Sequence, residues 1–438
     1  MKRFMLLLLT FLLVSAFAMP ASALEHIFGG YWRTRFAIQE NFSGDDTGTS
    51  LDSKQVDTRA RFYYTAKINE NLKLVNKLEL DAIWGENDGY GKVGADGTDI
   101  EIKNLYADFK INSFNVLVGV QNFNVARTFI YDDDFAGIKA IYKIDDRFSV
   151  VFDYQKHKEG GRGENDQDVE SYILTPVINL NKDICIKPYY MFLHSKDGFL
   201  LPYEVSTTAS NYLDNVNINY LGIDFDAKID ATTLWFTGVK QFGSLTSQGG
   251  AGNPFGDIKG TKVDLKGWLI AAGGKYDFGK TDIHGQSFWA TGDDNKGFTD
   301  KEMNGFYVTS SSQYYWAEIL GRGMFDGSAG ANGLNSQPTG SPGYSPTNII
   351  AVNLGATHKP TDKLSITGDL WYAKLDEKNS FGEDEIGIEA DLKLTYKLLD
   401  GLSLDIVGAY LFAGDAVSSD GKNDDNPFEI GTRLSLSF

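Results

Sequence analysis

Basic side chains recur at nearby positions of like parity in several short stretches of this chain, as Arg33 and Arg35, Arg59 and Arg61, and Lys73 and Lys77, with Arg433 close to the end. In an extended segment, residues two apart project from the same face, so each stretch presents cations on one side and apolar neighbours on the other. Such a row acts through electrostatics rather than bond chemistry. Fixed guanidinium and ammonium groups attract and orient anions, most strongly in a cleft with low-dielectric walls. Acidic counterparts stand elsewhere: Asp369, Glu389, Asp391 and Asp405 on later segments, and Asp132, Asp133 and Asp134 together in a predicted third long loop. Two walls of opposite sign would set up a transverse field, whereas pairing across neighbouring strands would merely solvate the interior.

Bond-making chemistry finds few candidates. The five histidines, His26, His157, His194, His284 and His358, lack the i, i+4 or cysteine-paired spacing of metal ligands, so neither a metal nor a cofactor is expected. His157 or His194 beside a serine of a neighbouring strand is the arrangement that would give a hydrolytic nucleophile pair. Cys185 is the only cysteine, which leaves no internal disulfide and no C-x-x-C-H haem attachment. Gly249-Gly-Ala-Gly252 is not framed by strand and helix and reads as loop, not as a phosphate cradle. The acidic tips at 293–295 and 420–426 lack the D-x-D-x-D-G ligand spacing, which leaves solvated carboxylates or a loosely held divalent ion.

The elements that position these charges are strands. An Arg or Lys facing lipid near mid-membrane costs about 2–4 kcal/mol, and in a wet interior little, so the basic residues fix which face looks inward. In the first strand Trp32, Phe36 and Ile38 look outward, and Arg33, Arg35 and Gln39 inward. In the second Phe62, Tyr64 and Ile68 look outward, and Arg59, Arg61 and Lys67 inward. The third places Leu72, Leu74, Leu78, Leu80 and Trp84 against lipid, and Lys73, Lys77, Glu79 and Asp81 against water. Rings such as Trp32, Trp84, Trp268, Trp289, Trp371, Tyr396, Phe412 and Phe438 suit aromatic girdles at the two interfaces.

Both ends of the chain agree with this. Residues 1–23 carry Lys2 and Arg3, an apolar run and Ala21-Ser22-Ala23, the pattern of a cleaved secretory signal. The apolar run is shorter than the ~20 residues of a membrane-spanning helix. Residues 24–438 then read as one barrel domain. Its last segment alternates Phe428, Ile430, Leu434, Leu436 and Phe438 with Glu429, Arg433, Ser435 and Ser437. A terminal aromatic resembles the closing-strand signal of bacterial outer-membrane proteins, which makes the strand ending at Phe438 the expected contact for barrel-assembly machinery. The formal charge of −18 argues against a nucleic-acid partner.

Connections alternate between short and long. Tight turns at 69–71, 112–113, 145–146, 181–183, 228–230, 279–280, 360–362 and 399–401 are rich in turn-forming residues. Eight hairpins plus the flanking strands give about 18 strands, with both termini on the periplasmic side. The stretch 292–347 reads as one long surface loop, with room for a short hairpin or helix near 306–321.

Tyr31-Trp-Arg-Thr-Arg35, Val118-Gly-Val-Gln121, Phe135-Ala-Gly137, Phe288-Trp-Ala-Thr-Gly-Asp-Asp294 and Glu385-Ile-Gly-Ile-Glu-Ala-Asp391 resemble segments of the bacterial outer-membrane porins grouped with the alginate-export barrels. The likeness spans most of residues 24–438. It implies an 18-strand channel with a basic constriction, and assigns Arg33, Arg35, Arg59 and Arg61 to it. Where that family usually has Gly-Arg-Gln, this chain has Gly119-Val120-Gln121, which removes one arginine and tells against a uronate polymer as cargo.

The expectation is therefore an all-β transmembrane antiparallel barrel in the outer membrane of a Gram-negative cell, in contact with lipid and lipopolysaccharide. It would act without catalysis as a pore for small hydrophilic solutes, with a preference for anions. Export of an acidic polysaccharide, a sheath around a partner such as a cytochrome, and an outer-membrane hydrolase are the alternatives.

Overall fold

The period-two alternation becomes one closed sheet. The computed structural model describes residues 24–42, 52–85, 100–159, 168–195, 213–250, 259–294, 301–308, 314–321, 323–325, 346–379, 381–418, 421–422 and 425–438. The predicted signal segment, Asn295 and part of the 420–426 tip lie outside the described residues.

The first half comprises β1 (Glu25–Glu40), β2 (Ser53–Asn69), β3 (Leu72–Ile83), β4 (Glu101–Ile111), β5 (Phe114–Val125), β6 (Tyr131–Lys143), β7 (Phe148–Lys158), β8 (Val169–Asn179), β9 (Ile184–Ser195) and β10 (Leu213–Ile229). The second comprises β11 (Thr232–Ser247), β12 (Lys262–Leu265), β13 (Trp268–Asp277), β14 (Thr281–Ala290), β15 (Glu302–Met303), β16 (Ile349–His358), β17 (Leu364–Lys374), β18 (Glu385–Leu399), β19 (Leu402–Ala413) and β20 (Phe428–Ser437). β12 and β13 follow one another along β11 and share one place in the wall, while the two-residue β15 pairs only with β12. The wall is thus an antiparallel barrel of 18 strands, as its sequence predicts. Among the described residues no helix is long and apolar enough to cross a membrane.

The eight tight turns fall where the turn residues stand. Left-handed backbone at Asn112, Asp230, Gly279 and Gly401 closes four of them. The barrel shuts by antiparallel pairing of β1 with β20, Arg35 standing opposite Arg433, and the Gly30 amide donates to the Phe438 oxygen at 2.8 Å. A side chain on Gly30 would collide with the Phe438 ring, so the glycine makes room for the terminal aromatic.

Outward side chains are apolar and bare, with Phe28 76% and Phe412 59% exposed. A belt of that kind is stable only against lipid. Trp371 departs from the predicted girdle: it faces the interior and is buried against Trp316. Its register partners Asn353 and Glu389 also point inward, which settles its side of the sheet.

Among the described residues, two segments leave the wall and enter the interior. β5 pairs with β4 only as far as Val120, and β6 pairs with β7 only from Ala136, yet β5 and β6 remain paired to Val125 and Tyr131. Their upper part therefore forms a hairpin inside the barrel, and Asp132, Asp133 and Asp134 belong to β6 rather than to a loop. Gly119 and Gly137, register partners, mark the departure. A Cβ on either would lie 2.2 Å from a backbone oxygen, that of Leu105 or Tyr154, and Gly119 has φ +135°. Behind the hairpin Phe123, Ile130 and Tyr131 pack on Ile173, Met191, Leu193, Ile218 and Tyr220 in a dry apolar core.

The second inserted segment corrects the surface-loop reading of 292–347. Its described part, here termed the strap, lies against the inner wall, with Phe306, Trp316, Ile319, Leu320 and Phe325 buried. Apolar side chains at that density are driven under cover by the hydrophobic effect.

Candidate functional site

The strap follows the wall through a series of polar contacts. Tyr220 and Gln241 both donate to the Tyr307 carbonyl, at 2.9 and 2.6 Å, and the Tyr307 amide donates to the Gln241 oxygen at 3.1 Å. Further on, the Tyr314 hydroxyl donates to Gln286 at 2.6 Å and its ring stacks on Phe129 of the hairpin, centroids 3.8 Å apart. The wholly buried Glu389 accepts the Ile319 and Leu320 amides at 2.7 and 2.8 Å. Arg35 then donates to the Met324 carbonyl at 2.7 Å. Glu318 accepts the Met324 amide, and burial pushes its carboxyl above the ordinary range while that bond, Lys393 and Arg433 pull it back.

The hairpin tip crosses toward β10. Arg127 donates to the Phe225 carbonyl at 3.1 Å, pairs with Asp226 and lies over the Trp235 ring, 5.2 Å from its centroid. Left-handed backbone at Ala126, Arg127 and Thr128 turns the chain there. Hairpin and strap meet where Phe129 stacks on Tyr314, with Phe288 of β14 edge-on to both, and among the described residues two cavities of the interior stand out.

The wider cavity, about 800 Å³, is lined by the predicted basic residues Arg33, Arg59, Arg61, Lys77 and Arg433 and by Asp132, Asp133 and Asp134 across from them on the hairpin. The second, about 590 Å³, takes in the predicted Asp369 and Asp391, together with His284, Trp371 and Lys393. Tyr315, Gly323, Met324 and Arg433 line both, so the two cavities adjoin at these residues.

Other predicted residues are placed differently. Arg35 lies under the strap, bonded to Asp57 at 3.0 Å. Glu389 is covered by the strap, and Lys73 sits apart from both cavities, 3.7 Å from Asp108. Asp405 stands on the basic side, 2.9 Å from Arg433, and not opposite it. Arg59 bonds Asp81 at 2.6 Å and Arg61 bonds Glu79, so much of the basic wall carries its own carboxylates in cross-strand pairs.

Several residues escaped sequence reasoning: Lys103, Arg127, Tyr315 and Met324. Lys103 faces the cavity because a register shift between Lys77 and Leu78 interrupts the alternation where β3 meets β4. For Arg127 the available signal was the apolar company of Phe123, Phe129 and Ile130, unsuited to an exposed loop.

The Ser–His pair does form, with His157 Nε2 2.8 Å from Ser171 Oγ. Ser171, however, is buried and donates its own proton to Gln155 at 2.9 Å. Nε2 must then be the donor to Oγ, which is the wrong state for a general base. His194 instead bonds Asn217 at 2.8 Å on the outer face.

No protein-family model matches the chain, and no curated protein is significantly similar to it in sequence. Solved structures are similar in fold. OccK8 (OprE) of Pseudomonas aeruginosa gives a TM-score of 0.57 at 12% identity, covering 94% of this chain and 98% of that one. OccAB1 of Acinetobacter baumannii gives 0.57 at 13% identity over 94% and 97%. OpdK of Pseudomonas aeruginosa, crystallised with vanillate, gives 0.56 at 10% over 94% and 98%. At such identities the likeness speaks to architecture: the chain has the fold of the 18-strand outer-membrane porin barrels.

Proposed function

We propose that the chain is an outer-membrane channel of a Gram-negative cell for passive diffusion of small hydrophilic solutes, with acidic groups drawn to Arg33, Arg59, Arg61 and Lys77. The observation that carries this reading is a pair of adjacent cavities lined by charged side chains, with Tyr315 and Arg433 common to both, inside a barrel whose outer face is apolar. Cations at a low-dielectric constriction focus the field onto passing anions. The outer belt would meet lipid, the rim lipopolysaccharide, and β20 with Phe438 would be the segment read by barrel-assembly machinery.

The inserted hairpin and strap speak against a cytochrome sheath, which needs a clear bore, and against passage of a polysaccharide. The buried, proton-donating Ser171 offers no support for hydrolysis. The test is reversal-potential measurement in a planar bilayer under a salt gradient, with an Arg33→Ala/Arg59→Ala variant alongside. Anion-favouring conductance that weakens in the variant is expected. Cation preference indifferent to the variant would assign selectivity to the carboxylates instead, and absence of any conductance would remove the channel reading.

A further inference from the structure

Most charges on the wider cavity are already matched. Arg59 pairs with Asp81 and Glu79, Arg61 with Glu79, and Arg433 with Asp405. Asp134 receives the Asn104 amide at 3.0 Å and has Lys103 at 3.8 Å. Lys77 and Asp132, on the same lining, stand outside these pairs. Lys77 makes no ion pair among the described residues, its ammonium lying 6.0 Å from the centroid of the Tyr63 ring. Asp132 likewise makes none, and accepts only the Asn122 amide at 2.8 Å.

They also stand on different supports. Lys77 belongs to the wall, on β3, whereas Asp132 belongs to the inserted hairpin, on β6. The cavity between them is thus bounded by a cation on one side and a carboxylate on the other, with Asn122 and Asn124 adding neutral polar groups. A solute with a single charge satisfies one pole and is repelled by the other. A neutral solute engages neither electrostatically. A solute with both charges on a short skeleton aligns with the field set by the two poles, and each end displaces water around one of them.

We infer that the wider cavity favours small zwitterions, solutes bearing a carboxylate and an ammonium a few bonds apart, with Lys77 receiving the first and Asp132 the second. This rests on the channel reading and deepens it by naming a solute class. Neither residue is held by the strap or paired in the wall, so replacing one alters the solute's surroundings more than the barrel's.

The full chain, reconstituted into lipid vesicles, is assayed for equilibration of labelled β-alanine against lactamide, a neutral solute of similar size, with potassium chloride conductance measured in parallel. β-Alanine is expected to equilibrate faster than lactamide. Lys77→Met and Asp132→Asn should each slow β-alanine by about twofold to fivefold, the range of one solvated charge contact, and slow lactamide distinctly less. Lys77→Arg should retain the preference, and heat-dependent gel mobility shows that each variant is folded. Conductance without faster β-alanine, or variants that slow both solutes alike, would overturn the inference and leave the channel standing. No conductance in the unaltered protein would overturn both.

Discussion

Arg35 and Glu389 grip the same short run of backbone from different strands: the guanidinium donates to the Met324 carbonyl, and the carboxylate accepts the Ile319 and Leu320 amides. Both side chains are buried, so the strap is held by charge-assisted bonds where water competes little. Glu389→Ala leaves two amides without their acceptor, each at about 1–3 kcal/mol if they stay buried. Single-channel current through the variant should be larger and noisier, with faster amide exchange at Ile319 and Leu320. An unchanged trace would show that apolar packing alone seats the strap.

Arg35 has a second partner, Asp57, whose side chain is 12% accessible. Arg35→Met strands that carboxylate, at a cost of about 3–5 kcal/mol for a broken buried pair. The temperature at which the folded gel band disappears should drop markedly. Arg35→Met/Asp57→Leu should recover much of the loss, and failure to recover would assign it to the Met324 contact.

Gly119→Ala tests the departure of the hairpin from the wall. The added methyl group meets the Leu105 oxygen on a backbone of φ +135°, so the β4–β5 junction must shift. Lower folding yield in vesicles is expected, and Val120→Ala next to it should fold normally. Equal yields would mean that the junction yields cheaply.

Tyr315 lines both cavities. Tyr315→Ala should raise conductance and admit larger neutral sugars in vesicle swelling, with little change in stability because the ring is 41% exposed. A size cutoff that does not move would place the narrowest point elsewhere.

Glu318 supplies a pH dependence. Its carboxyl lies above the ordinary value of 4.5 because burial disfavours the charged form. The seated strap therefore binds that proton more tightly than a released one. The resulting stabilisation is complete below the ordinary value and fades as pH rises through the lifted one. Amide exchange at Met324, corrected for its intrinsic rate, should quicken across that rise, and Glu318→Gln should flatten the profile. A profile that persists in the variant would point to another group.

The wall was legible because lipid and water impose a period of two, and because a cation such as Arg33 or Arg59 fixes the inward face at once. Turn residues such as Asn112 and Gly401 supplied the hairpin count. The interior was less legible. Trp371 obeys the alternation, but as an inward ring covered by Trp316 of the strap, a partner far along the chain that no local pattern reveals. Tyr314-Tyr-Trp316 and Ile319-Leu320 looked like parts of an exposed loop because nothing periodic marks a segment that lies along a wall. Of the basic ladder, Arg33, Arg59, Arg61, Lys77 and Arg433 reach the wider cavity while Arg35 and Lys73 do not, and its neutralisation by Asp81 and Asp405 depends on side-chain reach between strands, which spacing does not encode.

Dry packing of the hairpin on β8 to β10 makes the aqueous path eccentric. Circumference and permeable cross-section are thereby uncoupled: the strand number sets the girth of the cylinder, while the reach of two inserted segments sets its electrical size. A barrel of this girth should conduct like a much narrower one, and trimming or lengthening the strap would rescale the current without touching the wall.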